Sequence, residues 1–166
     1  MSNPAIPRDD VHRIAESCAD DAERYQVVAS RLVKDQKRLT RFVKQNLPFI
    51  EGQEGQVALY LYTVVIRIFE AYGGKLGRVQ GRDIDGAAKR IFDVADSLLP
   101  FDEGFPDRVR GVDWRAQPHI LDESLWALME KDEKKETEVD VDADKAGLIF
   151  LVLWAVTEAL DCAWDA

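Results

Sequence analysis

The stretch KAGLIFLVLWAVTEALD, residues 145–161, decides the fold, because a segment this apolar must be hidden from water. Its uninterrupted apolar run, from 147 to 156, is about half of the ~20 residues that a membrane-spanning helix requires. Charged residues flank the run, with Lys145 before it and Glu158 and Asp161 after it. A helix that is apolar on all sides but too short to span a membrane is typical of the centre of a globular core.

Length and charge narrow the class of protein. The chain has 166 residues, which is enough for one domain with a sizeable core. Its formal net charge is −9, whereas nucleic acids and anionic membranes bind positively charged protein surfaces. We therefore expect neither a nucleic-acid partner nor a membrane partner.

The cysteines and the first residues predict the compartment. Cys18 and Cys162 are far apart and form no CxxC motif, which predicts buried, reduced thiols. No basic segment followed by an apolar one is found in the first residues of the sequence, so we expect no signal peptide. It therefore predicts a cytoplasmic protein.

A second apolar segment, VALYLYTVVIRIFEAY at 57–72, ends at Gly73-Gly74, where glycine suits a helix C-terminus. The β-branched residues fall within helical spacings, so the sequence predicts no strand. The pattern predicts an all-α, six-helix bundle that forms a single domain over 1–166, with the two apolar helices at its centre. The predicted helices are two helices, or one kinked helix, between 8 and 46, then 57–72, 82–99, one that begins after Pro118, and the apolar stretch near the end.

The two halves of the chain resemble each other in pattern. One interpretation is a tandem pair of three-helix units, at 8–74 and 82–164, with the two apolar helices packed together. The other is a chance similarity between apolar helices. The segments RDDVHRIA and RDIDGAAK would begin the first helix of each half. Three further pairs carry the alignment: Gln36 with Gln117, Gly55 with Gly147, and Leu61 with Leu153.

Two groups of residues have the spacing of metal ligands. His119, Asp122 and Glu123 share one face of a predicted helix, and so do His12 and Glu16. Both groups lie at helix starts, where acidic residues also occur for electrostatic reasons. Because the chain has two histidines and no Glu-x-x-His motif, we expect no metal and no cofactor.

An acidic linker precedes the last helix. Asp140, Asp142 and Asp144 alternate as in a calcium-binding loop, but Lys145 occupies the glycine position and Leu151 that of the bidentate glutamate. We therefore expect a solvated linker and a helix N-cap rather than a calcium site.

The irregular segment between Pro100 and Pro118 is the predicted binding surface. Connections in helical domains are usually shorter, and long ones tend to be lids or binding loops. Aromatic residues with arginine are typical of binding hot spots, and arginine suits an acidic ligand or an acidic protein surface. The alternative is a lid whose aromatic residues cover the core and whose arginines pair with acidic residues. The candidate binding residues are Phe105, Arg108, Arg110, Trp114 and Arg115.

Charged residues also lie within the apolar helices. Arg67, Glu158 and Asp161 would each need a partner if they were buried. The alternative is that the helices leave the core at these points, with Arg67 paired to Glu70 on the same helix. The sequence leaves this choice open.

Three functional classes are compatible with these patterns. Because no catalytic motif is present, the leading hypothesis is a non-catalytic interaction or scaffold protein rather than an enzyme. The second is an all-α domain that binds a small molecule, and the third is an enzyme with a carboxylate-based site. A large cavity with convergent polar groups would favour the second or third class, and a filled core with an exposed apolar patch the first. The partner and any oligomer of the chain are left open.

Overall fold

The all-α prediction is confirmed in the computed structural model, which describes residues 3–130 and 141–166. Helices make up 73% of the structure, and the strands amount to one short pair. Residues 131–140, which include Asp140 and most of the predicted acidic linker, lie outside the described residues. The elements are α1 (Arg8–Asp20), α2 (Ala22–Asp35), α3 (Lys37–Asn46), α4 (Gln53–Tyr72), β1 (Lys75–Leu76), α5 (Gly81–Leu98), α6 (Phe105–Arg110), α7 (Pro118–Leu128), α8 (Ala143–Ala163) and β2 (Trp164–Asp165).

The described residues form eight helices where six were predicted. The region between 8 and 46 holds three helices because Asp21 ends α1 and its side chain caps α2, accepting a hydrogen bond from the Arg24 backbone N–H. The segment predicted to be irregular contains α6, which has a proline in its first turn. The helix predicted at 57–72 begins four residues earlier, at Gln53.

The prediction of no strand is wrong at one place. β1 and β2 pair antiparallel, with Lys75 opposite Asp165 and Leu76 opposite Trp164. Gly73 and Gly74 make the turn before β1 with φ angles of 133° and 71°, a conformation that other residues rarely adopt. This short pair fastens the end of α8 beside the end of α4.

The apolar stretch at 145–161 forms the core helix. In α8 every residue from 149 to 161 is buried. By length and composition alone α8 could cross a membrane, but 83% of its most apolar 18-residue window is buried within the fold. The second apolar helix, α4, is not hidden on all sides: Tyr60 is 40% exposed and Leu61 is half-buried. One face of α4 is therefore open.

The helices pack in a reciprocal pattern. α4 and α8 contact each other at the centre, α1 packs on α4, and α5 packs on α8. Two further helices reach the other half: α3 contacts α5 and α8, while α7, which also packs on α8, contacts α1 and α4. α2 packs within its own half, on α1, α3 and α4. This pattern is compatible with the predicted tandem repeat, which stays a prediction.

Two buried glutamines follow the same reciprocal pattern. Gln36, just before α3, accepts a hydrogen bond from the Val79 N–H (3.0 Å) and donates to the Gly77 carbonyl (2.9 Å), ahead of α5. Gln117, just before α7, accepts from the Ile6 N–H (2.9 Å) and donates to the Pro4 carbonyl (3.1 Å), ahead of α1. Each glutamine therefore anchors the segment that leads into the first helix of the opposite half.

Burial along the first helices of the halves indicates their register. Arg8 begins α1 and Gly81 begins α5, so an alignment on the two helix starts pairs these positions, one residue away from the pairing of Arg8 with Arg82 in the sequence segments. In this register the buried side chains coincide: Val11, Ile14 and Cys18 in α1, and Ile84, Ala87 and Ile91 in α5.

The charged residues of the apolar helices divide into two groups. Glu158 and Asp161 are buried, with 3% and 7% of their surface exposed. Arg67 is partly exposed and pairs with Glu70 at 2.6 Å, which is the i, i+3 pairing that the sequence indicated.

Of the two thiols, Cys18 is buried as predicted, whereas Cys162 is exposed, which corrects its prediction.

Candidate functional site

An open cavity of about 590 Å³ lies between α1, α4 and α7. One wall is the exposed face of α4, which offers mainly aliphatic side chains. Ala15 and Ala19 of α1 and Ala127 of α7 face this wall, and their small side chains leave the space that larger ones would fill. The lining residues of α4 are Gln56, Val57, Tyr60, Leu61, Val64, Val65 and Ile68.

A polar cluster forms part of the cavity wall opposite α4. The His12 Nδ1 lies 2.8 Å from Glu123 Oε1, and its Nε2 lies 2.8 Å from Glu16 Oε1. Arg8 Nη1 donates to Glu123 Oε2 at 2.6 Å. A neutral imidazole has one N–H, so only the imidazolium form donates to both carboxylates. The imidazole also meets the Trp126 ring edge to face, with centroids 5.3 Å apart.

The charges of the cavity lining are unequal. Glu16, Asp20 and Glu123 line it, and within residues 3–130 and 141–166 no lysine or arginine is among its lining residues. Glu123 pairs with Arg8 and contacts His12, and Glu16 contacts the same His12. Asp20 is exposed at the end of α1. We call the side of the cavity that Glu16 and Asp20 border its mouth. The mouth therefore has more carboxylates than it has neighbouring cations.

Of the residues that had metal-ligand spacing, His12 and Glu16 contact each other, but Asp122 and Glu123 are directed to different partners. Asp122 bonds to Arg110, whereas Glu123 bonds to Arg8 and His12, so the two adjacent carboxylates face different partners. Within residues 3–130 and 141–166, no group of three or more His, Cys, Asp and Glu side chains is arranged to hold a metal ion. Asp142, from the calcium-like segment, caps α8 by accepting from the Lys145 N–H.

The aromatic residues of the predicted binding segment lie against the core. Phe105 is fully buried in α6, between the rings of Phe101 and Phe150 at 5.1 and 5.8 Å. Trp114 is 36% exposed and stacks on Trp154 of α8, with ring centroids 5.2 Å apart. The Arg90 guanidinium also lies over the Trp114 ring, 5.5 Å from its centroid, so the ring is held within the fold although it is partly exposed.

The arginines of the same segment bond within the chain. Arg108 donates to the carbonyls of Leu98 and Pro100 at 2.7 and 2.6 Å and pairs with Asp102 at 2.7 Å. Arg110 pairs with Asp122 and Glu130. Arg115 donates to the carbonyls of Val112 and Arg110. The five candidate residues do not line the cavity, and partner binding by this segment stays a prediction.

A second polar network is buried where α8 ends. Glu158 Oε2 accepts a hydrogen bond from the Ala116 N–H at 2.9 Å. Burial raises the pKa of the Glu158 carboxyl, and this hydrogen bond opposes the rise only in part. Asp161 Oδ1 accepts from Gln117 Nε2 at 3.0 Å and from Asn3 Nδ2 at 3.3 Å. These bonds join the first residues of the chain to the core helix.

The sequence reasoning did not find the cavity. His12 and Glu16 were placed correctly on one helical face, but their partner Glu123 comes from a helix more than a hundred residues away. The available signal was the alanine pair at positions 15 and 19, one turn apart on the face of His12 and Glu16. A stripe of small residues beside polar ones leaves room next to a neighbouring helix.

Comparison of the chain with protein-family models, curated proteins and solved structures finds no match. Function is therefore inferred from the cavity and its lining residues.

Proposed function

We propose that this protein binds a small, largely apolar molecule in the cavity between α1, α4 and α7. The cavity carries the proposal. Its volume of about 590 Å³ lies within the range of roughly 300–1,000 Å³ that small-molecule sites occupy. Mostly apolar walls with a few polar groups at one side are also typical of such sites.

A comparison with the corresponding helices of the other half supports a specific role for the cavity. α5, α8 and α3 contact one another as α1, α4 and α7 do. There α8 is buried throughout its central turns, whereas α4 keeps Tyr60 exposed beside the cavity. In the alignment of Gln36 with Gln117, the position of Glu123 corresponds to Phe42. The helix arrangement therefore does not by itself require an opening or a carboxylate there.

The polar cluster suits binding better than catalysis. A general base needs a nitrogen lone pair or carboxylate oxygen that can reach the substrate. Both nitrogens of His12 face carboxylates, and Glu123 bonds to both Arg8 and His12. These groups hold one another in place, so we propose a binding protein rather than an enzyme.

The uncharged, fluorescent dye Nile red tests this proposal. We expect saturable binding of about one dye per chain, with the emission change of an apolar environment. Replacing Ala15 and Ala127 together with leucine should weaken the binding by at least about tenfold, because the added carbons occupy the cavity. Ala71→Leu is the matched control, since Ala71 is exposed on α4 outside the cavity and should leave binding unchanged.

Two results would contradict the proposal. One is the absence of saturable dye binding to the native protein. The other is equal binding by the filled variant, provided that circular dichroism and urea unfolding show that variant to be folded. Either result would return the interaction or scaffold hypothesis to first place.

A further inference from the structure

We infer that the natural ligand of this cavity is an amphipathic organic cation, with an apolar body and an ammonium group. The inference rests on the proposed binding function and specifies the chemical class of the ligand. It follows from the distribution of charge around an otherwise apolar space.

The carboxylates at the mouth come from one face of α1. His12, Glu16 and Asp20 follow one another at intervals of four residues, so they form a row along the helix. Ala15 and Ala19 lie beside this row and also line the cavity. The carboxylates of Glu16 and Asp20 therefore border the apolar space between α1 and α4.

The carboxylates of this row on α1 are not fully paired with cations of the protein. The Glu16 side chain is 67% exposed and shares His12 with the buried Glu123. Within the described part of the chain Asp20 forms no ion pair and no side-chain hydrogen bond. A ligand with an ammonium group at the mouth would gain two carboxylate neighbours while its apolar body covers the aliphatic face of α4.

The alternatives fit less well. An anionic ligand would place its charge beside Glu16 and Asp20, and among the described residues no lysine or arginine lines the cavity to offset the repulsion. An uncharged ligand would use the apolar wall but leave Asp20 without an ion-pair partner and Glu16 with only the His12 that it shares with Glu123. A cation also gains from the exposed Tyr60 ring, because aromatic faces attract positive charge.

Three molecules with the same ten-carbon chain test the inference: decylamine, decanol and decanoate, each below its micelle concentration. Each competes with Nile red for the native protein. We expect decylamine to bind about three- to tenfold more tightly than decanol, as exposed ion pairs at two carboxylates would give. Decanoate should bind most weakly. The preference for the amine should shrink at high salt, which screens exposed charges.

Variants assign the preference to the row on α1. The double change Glu16→Gln and Asp20→Asn should bring decylamine down to the affinity of decanol and leave decanol unchanged. Asp96→Asn is the control, because Asp96 is an exposed carboxylate of α5 away from the cavity, and it should keep the preference.

The outcomes separate the two proposals. If decanol binds but the amine has no advantage, or decanoate binds best, the cationic ligand is ruled out while the binding function stands. An amine preference that survives the double change would also overturn the inference, because groups other than Glu16 and Asp20 would then bind the ammonium group. If none of the three displaces the dye and the dye itself does not bind, both proposals fail.

Discussion

Glu158 shows at the scale of one residue how burial changes the chemistry of a carboxyl. It follows Trp154 by one turn of the core helix, and it accepts a hydrogen bond from the Ala116 N–H. Because burial raises its pKa in the folded protein, the folded state keeps the Glu158 proton to higher pH than the unfolded chain does. Stability from this group is therefore lost as the pH rises from the unfolded value, about 4.3, through the raised pKa.

Glu158→Gln tests this sign. The amide cannot ionise and its oxygen can still accept from the Ala116 N–H. We expect the variant to be more stable relative to the native protein at pH 7 than at pH 4, because the native protein then carries the cost of a buried charge. Urea unfolding at both values measures the difference. Glu51→Gln, at an exposed position, controls for the loss of one charge. A variant that is equally destabilised at both pH values would contradict the expected burial effect.

At the scale of the helix, two glycines set how closely the apolar helices approach their neighbours. A Cβ added to Gly55 of α4 would lie 2.0 Å from the Ile50 carbonyl oxygen. A Cβ added to Gly147 of α8 would lie 2.1 Å from the Phe101 ring. Backbone cannot yield as a half-buried ring can, so the two sites should differ in their tolerance of alanine.

Alanine substitutions should therefore rank in a defined order. We expect Gly55→Ala to lower the free energy of unfolding by about 3 kcal/mol and Gly147→Ala by about 1 kcal/mol, the two ends of the usual overpacking range. Gly86→Ala is the control, because no atom lies within 4 Å of its added Cβ in the middle of α5. It should stabilise the protein by about 0.5–1 kcal/mol. Urea unfolding gives all three values, and equal effects at 55 and 86 would refute the packing argument.

The sequence predicted the helices best where apolar spacing is long and the ends are marked. α4, α5, α7 and α8 each appear near the predicted positions because glycine, proline or an acidic cap marks their ends. The break at Asp21 was missed because Asp20 and Asp21 also suit a continuous exposed helix face. α6 was missed because six residues are too few to show a helical period.

The candidate site was harder to predict for a physical reason. A helix face that borders a cavity has the same apolar composition as one that borders the core. The sequence of α4 therefore predicted a helix buried on all sides. The partnership of His12 with Glu123 depends on the packing of α1 on α7, which no local pattern records. The arginines at 108, 110 and 115 had the composition of a recognition segment, but composition does not reveal the carbonyls and carboxylates that they reach within the fold.

At the scale of the whole molecule, we expect the protein to lose stability when either of the two buried glutamines is replaced. Gln36→Leu leaves the Val79 N–H buried without an acceptor, and Gln117→Leu does the same to the Ile6 N–H. We expect each change to cost about 1–3 kcal/mol of unfolding free energy. The loss should be larger for Gln117, which also donates to Asp161. Gln45→Leu, at an exposed position of α3, should change stability by less than about 0.5 kcal/mol.

These variants also bear on the predicted repeat. A tandem pair of units at 8–74 and 82–164 would place the two glutamines at equivalent positions with equivalent tasks. If urea unfolding shows a cost at one glutamine and none at the other, their anchoring roles are not equivalent. Superposition of the two halves of an experimental structure, with Leu61 on Leu153, decides the repeat itself.

The crossed anchoring has a consequence for how the chain folds. The Gln36 anchor spans 43 positions of sequence and the Gln117 anchor spans 111, so each closes a long loop. Neither half can secure the entry to its own first helix until the other half has arrived. A half-folded intermediate would therefore lack the hydrogen bonds and the burial that the other half supplies at these two anchors, which disfavours it relative to the native state. The molecule should consequently melt in a single cooperative transition, with denaturant curves from tryptophan fluorescence and circular dichroism superimposing across both halves.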